Sequence, residues 1–500
     1  MEVARIASGA LGAGPGKSLI LNGVTVVDTR TGGLTPNVRV VVDGGKIRQI
    51  SPVAAPVEGT PEIPEMIDAR GKFLVPGFLD MHTHLLQETH APEATAAVML
   101  AYGITGVRQM AGTTEMLRAR RAGSLRMGKH SPELLSLCGE ILLPLNAPTP
   151  EAGVLEVQRQ KVEGADFIKT IFVSPKVFFA TLAEATRQGL AYDGHLSPGV
   201  DVWKASSEGM KVIEHLGPTE LQLITTSTKS WIINLVIKLH PPKPPDLSPE
   251  AMKKAGKVMI ANPILARLHG DPGALNKTQQ LIDSFSETKA RKLAQTFAKN
   301  GTWQCPTLIR DATMRLGDDP QYTRSPDLRY VSRSTQDFWF QVGQMFSSKM
   351  TPAFRKTLKQ LGEFELKLTK IFDEEGVSMI AGTDYGGGWV IPGVSLHQEF
   401  DLLEDAGLSP LKILQMTTLH AAQFLQREST MGTVEVNKDA NLVILDGNPM
   451  QSAQNLHGIH AVIREGYFYS KQELSSIKEQ AAGKIALPPP DAGDAADTTI

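Results

Sequence analysis

The stretch Gly71-Lys-Phe-Leu-Val-Pro-Gly-Phe-Leu-Asp-Met-His-Thr-His-Leu85 decides how this chain is read. An apolar segment starting at Phe73 runs through Pro76-Gly77 into a His-X-His pair. Side chains of a β-strand alternate between its faces, so His82 and His84 project to the same side. Two imidazoles side by side at a strand end make half of a metal site. A chance pair of surface histidines is the alternative, and the rest of the chain decides between the two.

Outward from this stretch the pattern alternates. Strands are expected at Phe73 to Met81, Gly103 to Gln109, Leu134 to Leu137, Asp166 to Ile171, Leu190 to Asp193, Lys211 to Glu214, Thr302 to Pro306 and Ser378 to Ala381. Helical patterns lie between them, as at Pro175 to Gln188. Eight strands with intervening helices predict an α/β fold, a (β/α)8 barrel over residues 72–425. Strand-like runs flank it at Ser18 to Asp28, Val38 to Ile50, Gly432 to Asp446 and Ala461 to Tyr469. These are expected to pair into one small β-domain, 17–71 with 426–470, built from both chain ends. Residues 1–16 and 485–500 read as flexible tails.

Two connections, 219–300 and 310–376, are too long for ordinary barrel loops. They contain helix-like segments with Trp231, Phe285, Phe297, Phe338, Trp339, Phe340 and Phe346. These aromatics suit an apolar wall over the barrel's C-terminal face. They equally suit a small core of the insertions or a subunit interface. Pro241-Pro242-Lys243-Pro244-Pro245 reads as a stiff connector.

Composition narrows the function classes. The 500 residues are 41% hydrophobic and 21% charged, with a formal net charge of −2. This gives no basic footprint for nucleic acid. No apolar run approaches the ~20 residues of a membrane span. Cys138 and Cys305 make no disulfide framework and are expected as buried free thiols. The N-terminus has no charged region followed by an apolar one, so the expectation is a cytoplasmic protein, or one from which a signal was removed.

In barrels of this kind, catalytic groups gather at the C-terminal ends of the strands. The first strand delivers His82 and His84, the fourth Lys169, the fifth His195 (in Tyr192-Asp193-Gly194-His195), the sixth His215 and the eighth Asp384 (in Ala381-Gly382-Thr383-Asp384). Each alone has a bland explanation. Their recurrence at strand ends points to a metal centre.

With these pieces in view, the chain resembles the metal-dependent amidohydrolase superfamily. The matching motifs are Val75-Pro-Gly-Phe-Leu-Asp-Met-His-Thr-His84, Ile213-Glu-His215, Ala381-Gly-Thr-Asp384, and Gly432 to Asp446 with Pro449. The resemblance implies a distorted TIM barrel with a β-sandwich from both chain ends and helical cap insertions. It implies two divalent ions, by default Zn2+. His82 and His84 would bind the more buried ion, Lys169 would be carboxylated and bridge both, and His195 and His215 would bind the second. Asp384 would ligate the first and shuttle the proton. A metal-bridged hydroxide would attack a carbonyl carbon while Asp384 returns the proton to the leaving nitrogen. Lys169 could instead be a strand-end lysine reaching solvent. Asp80 shares the face of the histidine pair, either as an acceptor behind a ligand or as a strand cap.

The chain departs from the family at Val107-Arg-Gln-Met110, where relatives often carry Arg-Asp. Arg108 is a candidate for a substrate carboxylate, with a structural ion pair as the alternative. Arg310 and Tyr385 are further pocket candidates. His420 is expected to make a structural hydrogen bond. The other histidines lie outside the strand-end pattern.

The branch resembled, which includes Xaa-Pro dipeptidase-like and ochratoxinase-like amidases, implies cleavage of an amide in a small molecule. N-acyl amino acids, dipeptide-like compounds and aryl amides are the expected substrates. Ring opening of a cyclic amide, as in imidazolonepropionases, is a second reading that needs one metal and no Lys169. Ester or lactone hydrolysis would use the same hydroxide, and a non-catalytic scaffold is the reading from another class. A homo-oligomer is compatible with all of these.

Overall fold

The computed structural model describes residues 18–57, 65–216, 220–233, 261–271, 273–347 and 350–487. The arm 1–16, the Pro241–Pro245 run, His240 and residues 488–500 lie outside these. Five strands open the described chain: β1 (Leu19–Val27), β2 (Leu34–Asp43), β3 (Lys46–Pro52), β4 (Glu65–Asp68) and β5 (Phe73–Pro76). Seven follow: β6 (Phe78–Thr83), β7 (Ile104–Gln109), β8 (Glu133–Leu137), β9 (Phe167–Thr170), β10 (Ala191–Gly194), β11 (Val212–Glu214) and β12 (Trp303–Cys305). The last three are β13 (Leu442–Leu445), β14 (Ile459–Arg464) and β15 (Tyr467–Tyr469).

The outer groups join in one eight-stranded sheet, β15-β14-β13-β5-β1-β2-β3, with β4 beside β1. Alternation builds its core: Leu19, Leu21, Val40, Val42, Leu442 and Ile444 are all buried in one cluster. The middle strands are parallel, in the orders β6-β7-β8 and β9-β10-β11-β12. Asp166 N donates to Leu137 O at 3.0 Å where β8 meets β9. The expected eighth strand, Ser378 to Ala381, takes part through single bridges rather than a ladder. Gln304 pairs with Met379 and Thr83 with Tyr385, and Met81 N donates to Ala381 O at 2.9 Å. That places the segment leading to Asp384 between β12 and β6, in a TIM-barrel-like arrangement.

Helices between the strands begin where the sequence signals them. Thr149 accepts from Ala152 N to open Pro150–Glu163, which stops at Gly164 with φ 94°. Ser174 opens Pro175–Arg187 in the same way.

Three differences from the sequence expectation have clear causes. The run Phe73 to Met81 is two strands. β5 joins the terminal sheet, β6 pairs with β7, and Gly77 is the crossing point. A Cβ at Gly77 would lie 2.1 Å from Thr105 Oγ1, so only glycine lets the chain cross there. Ile485 and Ala486 are helical, not part of a flexible tail, because a capping box of Ser470 and Glu473 starts a helix over Lys471–Ala486 in which Ile485 is buried. The insertion aromatics divide. Phe297 packs on Phe372, Phe285 on Phe364 and Phe346 on His269, as an internal core. Trp339 and Phe340 instead gather on Trp389, with ring centroids 5.4 and 5.0 Å away. Both cysteines are buried free thiols.

Candidate active site

The strand ends bring His82, His84, Lys169, His195, His215 and Asp384 into one cluster. His82 Nε2 and His84 Nε2 lie 3.1 and 3.2 Å from Asp384 Oδ1. Lys169 Nζ is 3.1 Å from His82 Nε2. The His215 ring sits 4.6 Å from that of His82 and 4.8 Å from that of His195. His82 and Lys169 form the buried floor, whereas His84, His195 and Asp384 are half-buried and face the opening.

Local backbone strain aims several of these groups. His215, Thr307 and Asp384 have φ of 56°, 47° and 58°, the first two just past the ends of β11 and β12 and the third just past the bridged segment that replaces the eighth strand. Non-glycine residues in this region are strained, and such outliers concentrate at functional sites. At His215 the left-handed turn breaks strand alternation. Its ring therefore shares the cluster with His82, while neighbouring Glu214 contacts the same His82 from behind.

The outer nitrogens of three imidazoles are already engaged. His82 Nδ1 is 2.8 Å from Glu214 Oε2, His84 Nδ1 is 2.9 Å from Gln87 Oε1, and His215 Nδ1 is 2.6 Å from Thr307 Oγ1. Each ring is thus left with Nε2 for the centre. Burial, together with Lys169, pushes His195 down to about 3, and burial holds His215 well below its ordinary value. Both are therefore neutral at physiological pH. Burial also lowers Lys169, against the pull of Asp384 and Glu214. Burial would raise Asp384, but the His82 and His215 imidazoles hold its carboxyl well below the usual range.

The donor set fits divalent cations. Ligand atoms of His82, His84 and Asp384 all lie within 4.8 Å of one another. Imidazole nitrogens with a carboxylate oxygen suit zinc. A second group, His82 with Glu214 and Cys305, also meets this distance but is fully buried, and its Glu214 is engaged elsewhere.

Two further candidates border the cluster. Arg310 Nε lies 3.1 Å from Asp384 Oδ2, and its Nη2 donates to Ala261 O at 3.2 Å. Tyr385 donates its hydroxyl to Glu88 Oε2 at 3.1 Å. Arg108 is placed differently. It is wholly buried beneath the cluster and donates to Asp193 Oδ2 at 2.7 Å and Glu214 Oε1 at 3.1 Å, so it is no substrate contact. The short strand β11 and the alternating pattern hid this pairing. Asp80 caps the neighbouring segment, accepting from Thr383 Oγ1 at 2.7 Å and from the backbone of Thr383 and His82. Its carboxyl is pushed up to about 7 by burial. His420 Nδ1 makes its structural hydrogen bond to Met379 O at 3.2 Å. Sequence reasoning assigned no role to Glu214, Thr307 or Gln87. Glu214 carried the one available signal, a charged residue inside an apolar strand.

Comparison with known proteins agrees with this geometry. The family model described as "Amidohydrolase family" matches residues 73–481. An adenine deaminase of Rubrobacter xylanophilus is 30% identical over 212 residues, 39% of this chain and 34% of that protein. An adenine deaminase of Paracoccus denitrificans is 31% identical over 104 residues, 21% of this chain and 17% of that protein. A dihydroorotase of Mycobacterium tuberculosis is 37% identical over 100 residues, 19% and 21% of the two chains. The chain thus spans about a third or less of the curated relatives it matches. Among solved structures, bottromycin amidohydrolase superposes with a TM-score of 0.67 at 20% identity, over 94% of this chain and 91% of that one. An Xaa-Pro dipeptidase with bound methionine gives 0.57 at 17% identity, covering 91% and 100%. Aspergillus niger ochratoxinase gives 0.57 at 14% identity, covering 91% and 96%. At these identities the structural likeness shows the fold, and the family match covers most of the sequence: the chain belongs to the amidohydrolase family.

Proposed function

We propose that this chain is a metal-dependent hydrolase that cleaves an amide bond in a small molecule, with an N-acyl amino acid, a dipeptide-like compound or an aryl amide as substrate. The observation that carries the reading is the convergence of His82, His84 and Asp384 within 4.8 Å, with Lys169 Nζ 3.1 Å from His82 Nε2. His82, His84 and Asp384 would hold one divalent ion, by default Zn2+, and His195 and His215 a second. Lys169 would join the two as its carbamate. Burial favours the neutral amine that reacts with carbon dioxide, and the carbamate replaces a repelling ammonium with an anionic ligand.

Bound there, the ions would supply an activated water and polarise the scissile carbonyl. The residues of the chain do the rest. Asp384, half-buried at the opening, takes the proton of the attacking water and delivers it to the leaving nitrogen. Arg310, beside Asp384 Oδ2, favours the carboxylate form that accepts this proton.

The test is metal content per chain by plasma mass spectrometry, on protein purified with bicarbonate and no added metal, alongside hydrolysis assays on N-acyl amino acids and aryl amides. About two zinc equivalents and metal-restored amide cleavage are expected. About one equivalent, with turnover of a cyclic amide alone, would favour the mononuclear reading. No uptake after metal is added back would overturn the hydrolase reading.

A further inference from the structure

One buried arginine lies beneath the cluster and touches the supports of its ligands. Arg108 sits at the C-terminal end of β7 and has no exposed surface. Its Nη2 donates to Asp193 Oδ2 at 2.7 Å and Glu214 Oε1 at 3.1 Å, and its Nη1 donates to Met81 O at 3.2 Å. Met81 immediately precedes His82, Glu214 immediately precedes His215, and Asp193 lies two residues before His195. One guanidinium therefore ties β6, β7, β10 and β11 at the level of the metal-ligand positions. Its Cζ lies over the rings of Phe167 and Phe424, 4.6 and 5.0 Å from their centroids, a contact that suits a delocalised cation.

The other Glu214 oxygen completes the link. Oε2 is 2.8 Å from His82 Nδ1, and both side chains are fully buried. His84 and His215 have neutral partners at the same position, Gln87 and Thr307. A carboxylate there fixes the tautomer and makes the ring a more basic ligand, and a buried carboxylate keeps its charge only if it is paired.

We propose that Arg108 and Glu214 are positioning residues of the metal centre: Arg108 holds Glu214 in place, and Glu214 turns His82 Nε2 toward the cluster. This rests on the metal-dependent reading above. It assigns Arg108 to ligand geometry instead of substrate recognition.

The test measures Zn2+ affinity of metal-stripped full-length protein by competition with a chromophoric chelator. Glu214→Gln is expected to weaken Zn2+ binding by roughly 10–100-fold, the usual effect of losing such a partner. Arg108→Lys, which cannot bridge two carboxylates and a carbonyl at once, is expected to fall in the same range. Its effect should not add to that of Glu214→Gln. On a His82→Ala background, Glu214→Gln is expected to have no further effect on Zn2+ affinity. An equal loss with and without His82 would mean a merely structural role and overturn the proposal. So would Glu214→Gln protein that binds Zn2+ within about twofold of wild type. If Glu214→Gln protein does not fold, Arg108→Lys in the same His82 cycle decides the matter. Wild-type protein that takes up no Zn2+ removes the metal-dependent reading and this proposal together. Normal wild-type uptake with unaffected variants removes this proposal alone.

Discussion

Replacing Lys169 with methionine separates the chemistry of the cluster from its packing. Lys169 is 1% exposed, and its Nζ has His82 Nε2 at 3.1 Å. Methionine has similar length and no charge. In the metal-free protein the change removes one buried hydrogen bond, worth ~0.5–1.5 kcal/mol net. His82 Nδ1 keeps Glu214 Oε2 at 2.8 Å, so the metal-free variant should stay within ~1.5 kcal/mol of wild type. The loaded protein should behave differently. Without a carbamate to bridge the ions, zinc content should drop from about two equivalents to about one. At free zinc ~100-fold above its dissociation constant, a bound ion stabilises the fold by ~2.7 kcal/mol. Urea denaturation with and without zinc should therefore show a gap between wild type and Lys169→Met of about that size, present only in the loaded state. Reloading stripped wild-type protein should depend on bicarbonate, and reloading the variant should not. A Lys169→Met protein that binds two ions with wild-type stability would refute the argument.

Three other outcomes are expected. Asp384→Asn should lower kcat on any amide substrate by ~10²–10⁴-fold, the usual contribution of a general acid–base group, and a loss under tenfold would remove Asp384 as the proton carrier. His397, buried against Phe78 and Phe400, is pushed down to about 3 by burial, so the unfolded chain binds its proton below pH 6.5 while the folded chain does not. Its contribution is complete above pH 6.5 and lost as pH falls, the loss reaching ~2 kcal/mol at pH 5, and His397→Gln should shrink the acid loss of unfolding free energy, measured by urea denaturation, by that amount. Gly77→Ala should abolish soluble expression because its Cβ would meet Thr105, and adding Thr105→Gly should restore part of it, as judged by yield and circular dichroism.

The residues of the cluster were legible because their signals are local. His82 and His84 obey strand alternation through Thr83, the last residue of β6, and each remaining candidate closes a recognisable apolar run. The structure bears out the structural ion pair, the alternative reading of Arg108, but its partners and the role of Glu214 were not legible, because they depend on which strands are neighbours. Residue 108 meets 193 and 214 only once the fold brings the sheet of β7 against that of β10 and β11. The left-handed turn at His215 also defeats the period-two rule that would send Glu214 and His215 to opposite faces. The split at Gly77 was hidden because the residues on both sides are equally apolar. Only the pairing partners, β13 for one half and β7 for the other, distinguish them.

The terminal sheet has a consequence for how the molecule is made. β5 lies between β1 and β13, with Pro76 opposite Leu442 and Phe73 opposite Leu445. During translation roughly 360 residues separate the two strands, so at the usual synthesis rates β5 waits roughly 20–70 s for its partner. Throughout that interval an apolar edge, Phe73-Leu74-Val75, stands open immediately upstream of the strand that bears His82 and leads to His84. Such edges recruit other chains. Nascent chains stalled or cut before Leu442 should therefore be the aggregation-prone and chaperone-bound species of this protein, and centre assembly is coupled to the completion of synthesis.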